Sequence, residues 1–266
     1  MPTIRLIASL APAALLLLAA TLPPIAPAEA ATCQNPDALG TARVLEVSAA
    51  TTPQVGRKHF PTTLPLGPKE LVLTFDDGPW PTTTPKVLDA LAAECVRASF
   101  FMLGQHAQAT PQLARRVLAA GHTVAHHTYA HPILDKMSTD AAEAEINRGF
   151  SAVDYAVFGQ RRNDPATPFF RFPGFASTPA LLERLQRRGI VVFGADFWAS
   201  DWNTMTPERQ FDLIMARTEQ FGRGIVLFHD TREQTAAMLP RYLRELKKRG
   251  YKIVHIVPAG SRGSLR

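Results

Sequence analysis

The chain has 266 residues, of which 46% are hydrophobic and 20% are charged, with 22 prolines and two cysteines. This composition excludes a collagen-like chain, a disulfide-stapled mini-protein and a mostly disordered polymer. The length suits one or two domains, because α/β barrels of about 250 residues form single domains. A net charge of +6 would suit a nucleic-acid ligand, so the compartment of the protein decides how that charge is interpreted.

The first 30 residues have the parts of a secretory signal peptide. Arg5 gives a positive start, an apolar stretch covers residues 6–20, and Ala28-Glu29-Ala30 forms a small-residue cleavage site. The apolar stretch is shorter than the about 20 residues that a membrane span needs. We therefore predict export with cleavage before Ala31 and no stable membrane span afterwards, with an uncleaved anchor as the alternative. Cleavage removes one positive and one negative charge, so the net charge stays at +6 in a compartment without DNA.

The two cysteines, Cys33 and Cys95, fit an oxidising compartment. A disulfide between them would stabilise the fold by roughly 3–4 kcal/mol, because it closes a long loop. Free thiols are an open alternative. A lipid-modified Cys33 is disfavoured by the preceding Ala30-Ala31-Thr32.

The mature chain divides into a leader, a regular region and a short tail. Residues 31–69 lack a sustained period and predict an irregular N-terminal leader, and residues 259–266 form a basic C-terminal tail. Between them, over 70–258, short apolar runs alternate with segments whose apolar residues have helical spacing. Many of these helical segments begin at Pro or Thr. This alternation predicts a parallel sheet with outer helices, either open or closed into a barrel. The runs lie at about 71–75, 98–102, 122–126, 168–172, 190–195, 224–229 and 252–256.

Polar residues with metal-binding chemistry follow the first and third runs. In parallel α/β folds the active site forms at the carboxyl ends of the strands. Asp76 and Asp77 end the first run, and His127 and His131 follow the third. Four-residue spacing would put both imidazoles on one face of a helical turn. Either pair alone is typical of a turn or of chance, but together they indicate a metal site.

Further polar residues follow three more strands. His229 ends the sixth run, which suits a general acid or base. Arg171 belongs to the fourth and needs an anionic partner if it is buried. After the fifth run, Asp196 begins a loop that reaches Asp201 and Trp202, a mixture of carboxylates and aromatic rings that suits a sugar ligand.

This set resembles the five motifs of the polysaccharide deacetylases of the NodB-homology type, carbohydrate esterase family 4. The resemblance covers about residues 70–258, in the order of the family, and it implies a distorted (β/α)7 barrel with parallel strands and outer helices. The fourth motif needs two extra residues in its loop to fit. The motifs lie at 74–78 (TFDDG), 127–131 (HTYAH), 171–175, 196–202 and 227–229 (LFH).

The resemblance implies a role for each of the five most specific residues. Asp77, His127 and His131 would hold a divalent metal ion, expected to be Zn²⁺, with water completing its coordination. Asp76 would be the general base that deprotonates this water. His229 would be the acid that protonates the departing sugar amine.

The looser motifs would supply supporting groups. Arg171 would orient Asp76 and keep it ionised, and Asp196 would be a partner of Arg171 or of His229. Substrate contacts would come from a wall for the acetyl methyl group, a backbone N–H for the oxyanion and a groove wall. These are assigned to Leu227, to Gly174 or Phe175, and to Trp202, respectively.

The sequence thus predicts a secreted or periplasmic metal-dependent hydrolase. It would remove N-acetyl groups from a GlcNAc-containing polysaccharide, either chitin oligomers or peptidoglycan. An O-acetyl esterase acting on acetylated xylan or another glycan is one alternative, and a catalytically silent glycan-binding protein is another. A nucleic-acid partner is not expected, because basic pairs such as Arg187-Arg188 lie on predicted helix surfaces without an aromatic platform.

Overall fold

The computed structural model describes Cys33 and residues 35–261. The predicted signal peptide, its cleavage site and the end of the basic tail lie outside the described residues. None of the helices within the described ranges combines the length and the apolar composition that a membrane crossing requires.

Strands and helices alternate along the chain, as the sequence predicts. The strands are β1 Thr41–Val47, β2 Gln54–Val55, β3 Glu70–Asp76, β4 Ser99–Met102, β5 Thr123–His126, β6 Phe169–Phe170, β7 Val191–Phe193, β8 Phe197–Trp198, β9 Gly224–His229 and β10 Lys252–Pro258. The helices are α1 Thr84–Ala93, α2 Gly104–Ala109, α3 Pro111–Ala119, α4 Thr139–Phe158, α5 Pro179–Arg187, α6 Pro207–Phe221 and α7 Glu233–Lys248.

The strands form one parallel sheet that curls into a distorted barrel. Neighbours follow the order β8-β9-β3-β4-β5-β6-β7, and residues 194–196 lead directly from β7 back to β8. This confirms the predicted fold class. The distortion is clearest at β10, which pairs with β3 only through Lys252 and Ile253 and otherwise pairs with β1.

Alternation along the strands decides which side chains enter the barrel. On β3, Leu73 and Phe75 pack under the outer helices, whereas Val72 belongs to the inner cluster. The same period turns Asp76 inward at the end of the strand. On β9, Ile225 is an inner residue, so His229 ends a second inward-facing column.

The strand ends are level, so the inward columns finish close together. Asp76 and His229 are direct partners in the register of β3 and β9. His127 continues the column that begins with the inner residue Ala125, and Arg171 continues the column of Phe169. Parallel pairing thereby brings side chains from four strands to one end of the barrel.

The N-terminal leader differs from the sequence prediction, because it is part of the sheet. β1 pairs with β10, and β2 pairs with β7. Arg43 of β1 forms a two-pronged ion pair with Glu70 (2.9 and 2.7 Å), which lowers the pKa of that carboxyl to about 2. Short strands held by long-range partners leave little periodicity in their own sequence, which explains the error.

The disulfide left open by the sequence is present. Cys33 and Cys95 are bonded, with their Cα atoms 5.6 Å apart and a sequence separation of 62. The bond ties the start of the described leader to the turn that follows α1. Together with β1, it fastens the leader to the end of the barrel opposite the polar strand ends.

Helix α4 passes directly under the loop that follows β5. A Cβ atom at Gly149 would lie 2.4 Å from the carbonyl carbon of Thr128 and 2.7 Å from its oxygen. Thr128 has a φ of 69°, an unusual value for a β-branched residue, and its carbonyl accepts a hydrogen bond from Gly104 N. The absence of a side chain at Gly149 therefore sets the position of the loop between His127 and His131.

We predict that Gly149→Ala destabilises the protein although alanine favours helix. The contact is with backbone that cannot rotate away, so overpacking of about 1–3 kcal/mol outweighs a propensity gain of about 1 kcal/mol. Urea unfolding measures the change. The control is Ala144→Gly on the exposed face of α4, which reports propensity alone. A Gly149→Ala protein as stable as the wild type would contradict the packing argument.

Candidate metal centre and active site

Three predicted metal ligands meet at the end of the barrel. Asp77, His127 and His131 each offer one ligand atom, and these atoms all lie within 4.8 Å of one another. Asp77 Oδ1 is 3.6 Å from His127 Nε2 and 3.5 Å from His131 Nε2. Ligands of a tetrahedral Zn²⁺ at about 2.0–2.2 Å stand about 3.4 Å apart, so the observed spacing fits such an ion.

The hydrogen bonding and protonation of Asp77 and His127 also suit cation binding. Asp77 Oδ1 is buried and has no hydrogen-bond partner among the described residues, as expected of an atom that awaits a metal. His127 Nδ1 is held by the carbonyl oxygen of Arg171 at 2.7 Å, which directs Nε2 into the triad. Burial lowers the pKa of His127 to about 3 and keeps its ring in the neutral form that binds metals.

The backbone is bent to bring these ligands together. Asp77 and His131 have φ values of 76° and 63°, in the left-handed region that most side chains avoid. Asp77 N donates to Phe101 O, and His106 Nδ1 lies 2.6 Å from Asp77 O, so both polar groups of that peptide backbone are fixed. Such strain is typical of functional sites, where the surrounding contacts hold it in place.

Asp76 lies beside the triad in a buried ion pair with Arg171. Arg171 Nη1 donates to Asp76 Oδ1 at 2.6 Å and to Thr74 Oγ1 at 2.9 Å, and both charged side chains are buried. Asp76 Oδ2 remains 3.8 Å from His127 Nε2. Burial raises the pKa of Asp76 above its ordinary value, while the guanidinium opposes that shift by favouring the carboxylate.

His229 also lies near Asp77, and its ring orientation is fixed. Its Nε2 is 4.0 Å from Asp77 Oδ2, and its Nδ1 is 2.7 Å from Asp201 Oδ1. Asp201 Oδ2 also accepts hydrogen bonds from His229 N and Thr235 Oγ1. Burial lowers the pKa of His229, but the carboxylates of Asp201, Asp77 and Asp76 outweigh it and raise the pKa to about 9.

Asp196 does not take the predicted place beside Arg171 or His229, and this assignment is corrected. Its Oδ1 accepts from Arg57 N at 3.0 Å, and its Oδ2 accepts from Thr63 Oγ1 and Ile225 N, both at 2.7 Å. The carboxylate therefore joins the leader to β9. The partner of His229 is Asp201, in the same loop, which the sequence shows only as the second acid of a motif with irregular spacing.

The residues predicted to contact the substrate lie on β9, in the loop that carries Asp201 and in the turn after Arg171. Leu227 is buried one inward position before His229. Trp202 is 44% exposed, and its ring meets the His229 ring edge-on at 5.9 Å. In the turn after Arg171, Phe175 N already donates to Phe172 O, so Gly174 offers the better placed backbone donor of the two that the sequence proposes.

A second buried acid, Asp230, supports the turn that carries Asp77. It accepts a hydrogen bond from Thr84 Oγ1 at 2.5 Å, and a side chain at Gly78 would collide with it at 2.0 Å. Burial raises the pKa of Asp230 to about 7. Sequence reasoning did not identify this role, because Asp230 simply follows His229 in the chain.

Comparison with known proteins agrees with this geometry. A family model described as polysaccharide deacetylase matches residues 64–193. A peptidoglycan-N-acetylglucosamine deacetylase of Bacillus cereus is 33% identical over 198 residues, 73% of this chain and 89% of that protein. The chain belongs to the polysaccharide deacetylase family. A chitooligosaccharide deacetylase of Sinorhizobium fredii is 31% identical over 200 residues, which cover 70% of this chain and 90% of the Sinorhizobium protein.

Longer relatives and solved structures place the same fold in larger proteins. PgdA of Listeria monocytogenes, a peptidoglycan-N-acetylglucosamine deacetylase, is 35% identical over 188 residues, 71% of this family member and 38% of PgdA. The chain thus aligns with well under half of that relative. The peptidoglycan deacetylase structure of Bdellovibrio bacteriovorus has a TM-score of 0.75 and 30% identity, covering 88% of this chain and 63% of its own.

We predict that the metal-free protein binds one Zn²⁺ and that His131→Ala weakens this binding by more than about 100-fold. Loss of a group that merely orients a ligand costs about 10–100-fold, so loss of a ligand costs more. Calorimetric titration with Zn²⁺ measures the affinity. His59→Ala, an exposed histidine outside the triad, is the control and should bind like the wild type. Wild-type affinity in His131→Ala would rule out this ligand set.

Proposed function

We propose that this chain is a metal-dependent hydrolase that removes N-acetyl groups from a GlcNAc-containing polysaccharide. The carrying observation is that Asp76 and His229, partners in the register of β3 and β9, both lie beside the Asp77, His127 and His131 triad. Asp76 Oδ2 lies 3.8 Å from one triad atom, and His229 Nε2 lies 4.0 Å from another. The relatives named as peptidoglycan and chitooligosaccharide deacetylases support this choice of substrate.

Asp76 is the proposed general base. A divalent metal held by the triad would act as a Lewis acid and make water more acidic. Because Arg171 occupies Asp76 Oδ1, the other oxygen faces the triad and accepts the proton of the attacking water. The water oxygen then bonds to the acetyl carbon of the substrate. Arg171 keeps the carboxylate oriented and ionised for that step.

His229 is the proposed general acid. The C–N bond of the acetamide can break only if the nitrogen leaves as a neutral amine, so the nitrogen needs a proton. The hydrogen bond from His229 Nδ1 to Asp201 turns Nε2 toward the site, and the neighbouring carboxylates favour the protonated ring. His229 donates that proton, and acetate and the free amino sugar are the products.

Two further groups complete the proposed site. The Gly174 N–H stabilises the negative charge that develops on the carbonyl oxygen, and Leu227 contacts the acetyl methyl group. Gly174 has a φ of 56°, which a residue without a side chain adopts readily. The signal-peptide pattern of residues 1–30 suggests the location, and we propose that the enzyme works outside the cytoplasm after cleavage before Ala31.

We predict that Asp76→Asn and His229→Ala each lower kcat for acetate release by about 100- to 10,000-fold, the usual contribution of a general acid or base. Acetate is measured from peptidoglycan, GlcNAc oligomers and acetylated xylan. The wild type should prefer the N-acetylated substrates, lose activity in EDTA and regain it with Zn²⁺.

Asp212→Asn, an exposed carboxylate on α6, is the matched control and should keep wild-type activity. Undiminished acetate release by Asp76→Asn would overturn the proposed function. Faster release from acetylated xylan would favour an O-acetyl esterase instead, and binding of glycan without any release would favour a silent binding protein.

We also predict that Asp201→Asn and Asp196→Asn differ in their effect on kcat. Asp201→Asn should lower kcat by roughly 10- to 100-fold, because it disturbs the proposed acid, in addition to the stability lost with a buried hydrogen-bond acceptor. Asp196→Asn should lower the free energy of unfolding by about 2 kcal/mol and Tm by roughly 4–8 °C, with kcat on a short substrate nearly unchanged. Thermal unfolding and acetate release separate the two, and equal loss of kcat in both would contradict the corrected assignment.

A further inference from the structure

The part of the leader between Val55 and Thr63, here called the leader loop, lies against the active-site end of β7. Gly194 N donates to Val55 O at 2.6 Å, and Lys58 N donates to Ala195 O at 3.0 Å. The loop precedes residues 64–193, where the chain matches the family model. It therefore lies outside that match, and it also precedes the five sequence motifs.

Two glycines allow the leader loop to approach β7 this closely. Gly56 has a φ of 111°, and a Cβ there would lie 2.5 Å from Ala195 N. A Cβ at Gly194 would lie 3.1 Å from His59 Nδ1 and 3.1 Å from Val55 O. Side chains at these two positions would push the loop away from the site, so their absence fixes where His59 lies.

Asp196 fixes the same loop from the other side. Its carboxylate accepts from the backbone of Arg57 and from the hydroxyl of Thr63, so it clasps the loop before and after His59. The same carboxylate accepts from Ile225 N in β9. The loop is thus anchored at several points to the strands that carry the catalytic groups.

The anchored loop presents the His59 ring to the cleft. His59 stacks on Phe175 with ring centroids 3.7 Å apart and lies 6.3 Å from the ring of Trp198. Trp198 in turn lies 5.9 Å from Trp202, and Trp202 lies 5.9 Å from His229. The rings therefore form a continuous row, here called the aromatic row, that starts beside the proposed acid and ends on the leader loop.

The rings of the aromatic row are partly accessible to a ligand, and the exposed Lys58 side chain places its Nζ 5.4 Å from the centroid of the Trp198 ring. Phe175 covers one face of His59, yet the residue remains exposed, and Phe175 and Trp198 are partly exposed. Pyranose rings carry C–H groups that pack on aromatic faces, which favours a sugar as the ligand. The row is also longer than a single ring-to-ring contact, so it extends past the point where one acetamide reacts.

We propose that His59 and Trp198 form a binding subsite for a second sugar unit of the glycan, next to the unit that is deacetylated. This rests on the proposed function, which it deepens by making the enzyme selective for longer chains. The leader loop then determines specificity for chain length, and it is held in place by Asp196.

The charge state of His59 agrees with a stacking role. Desolvation of the ring, one face of which is covered by Phe175, lowers the pKa of His59, and the nearby charges of Arg171 and Lys58 lower it further, to about 4. The ring is neutral near pH 7, so it offers an aromatic surface and not a cation. A phenylalanine at position 59 should therefore replace it.

The test compares N-acetylglucosamine, which has no second sugar unit, with a GlcNAc hexamer as substrates of the Zn²⁺-loaded enzyme. His59→Ala should raise KM for the hexamer by about 3- to 10-fold, the range expected for one lost ring contact. KM for the monosaccharide and kcat for both substrates should stay within about twofold by the same reasoning. His59→Phe should restore the wild-type KM, and Arg57→Ala, the neighbouring exposed residue, should behave like the wild type.

A binding arm separates failure of this inference from failure of the proposed function. In the Asp76→Asn background, quenching of tryptophan fluorescence by the hexamer reports binding next to Trp198 and Trp202 without hydrolysis. His59→Ala should weaken this binding by the same factor even if no tested glycan releases acetate. Unchanged hexamer affinity and KM in His59→Ala would overturn the inference, as would absence of quenching or an equal fall of kcat on both substrates.

Discussion

The buried charge of Arg171 is the constraint on which the rest of the site depends. A guanidinium without exposure is tolerated only if its donors are paired. Its nitrogens donate to Asp76 Oδ1, Thr74 Oγ1, Phe193 O and Gly194 O, and its own carbonyl holds His127 Nδ1. One residue therefore orients the proposed base, a proposed metal ligand and the end of β7. Lysine could not replace it, because a single ammonium group cannot span these acceptors.

The carboxylates explain why this end of the barrel needs further positive charge. Asp76, Asp77 and Asp201 lie close together, and only the first is paired with Arg171. His229 lies between Asp201 and Asp77, which favour its protonated form, while the unpartnered Oδ1 of Asp77 faces the Nε2 atoms of His127 and His131. A divalent cation at the triad would offset the remaining charge, so the electrostatics and the ligand geometry point to the same occupant.

The sequence predicts the strands and the central site well because both depend on local period. Inward alternation along β3 and β9 ends at Asp76 and His229, which makes those residues visible without a structure. Features set by distant contacts were not visible in this way. The strands of the leader pair with β10 and β7, Gly149 is fixed by Thr128, and the roles of Asp196 and Asp201 depend on how a bent loop runs. Motif order could not decide which of the two acids meets His229.

The leader runs between the two ends of the barrel. Its attachments along this path explain how the leader loop can be rigid enough to shape a binding site. The disulfide fastens it at Cys33, β1 carries it along β10, and Asp196 clasps it beside β7. Each attachment reduces the entropy that the leader loop would lose when a glycan binds. The ring of His59 is consequently positioned before any ligand arrives. Asp196 thus holds the leader loop beside the proposed binding site, while Asp201 holds the proposed acid His229.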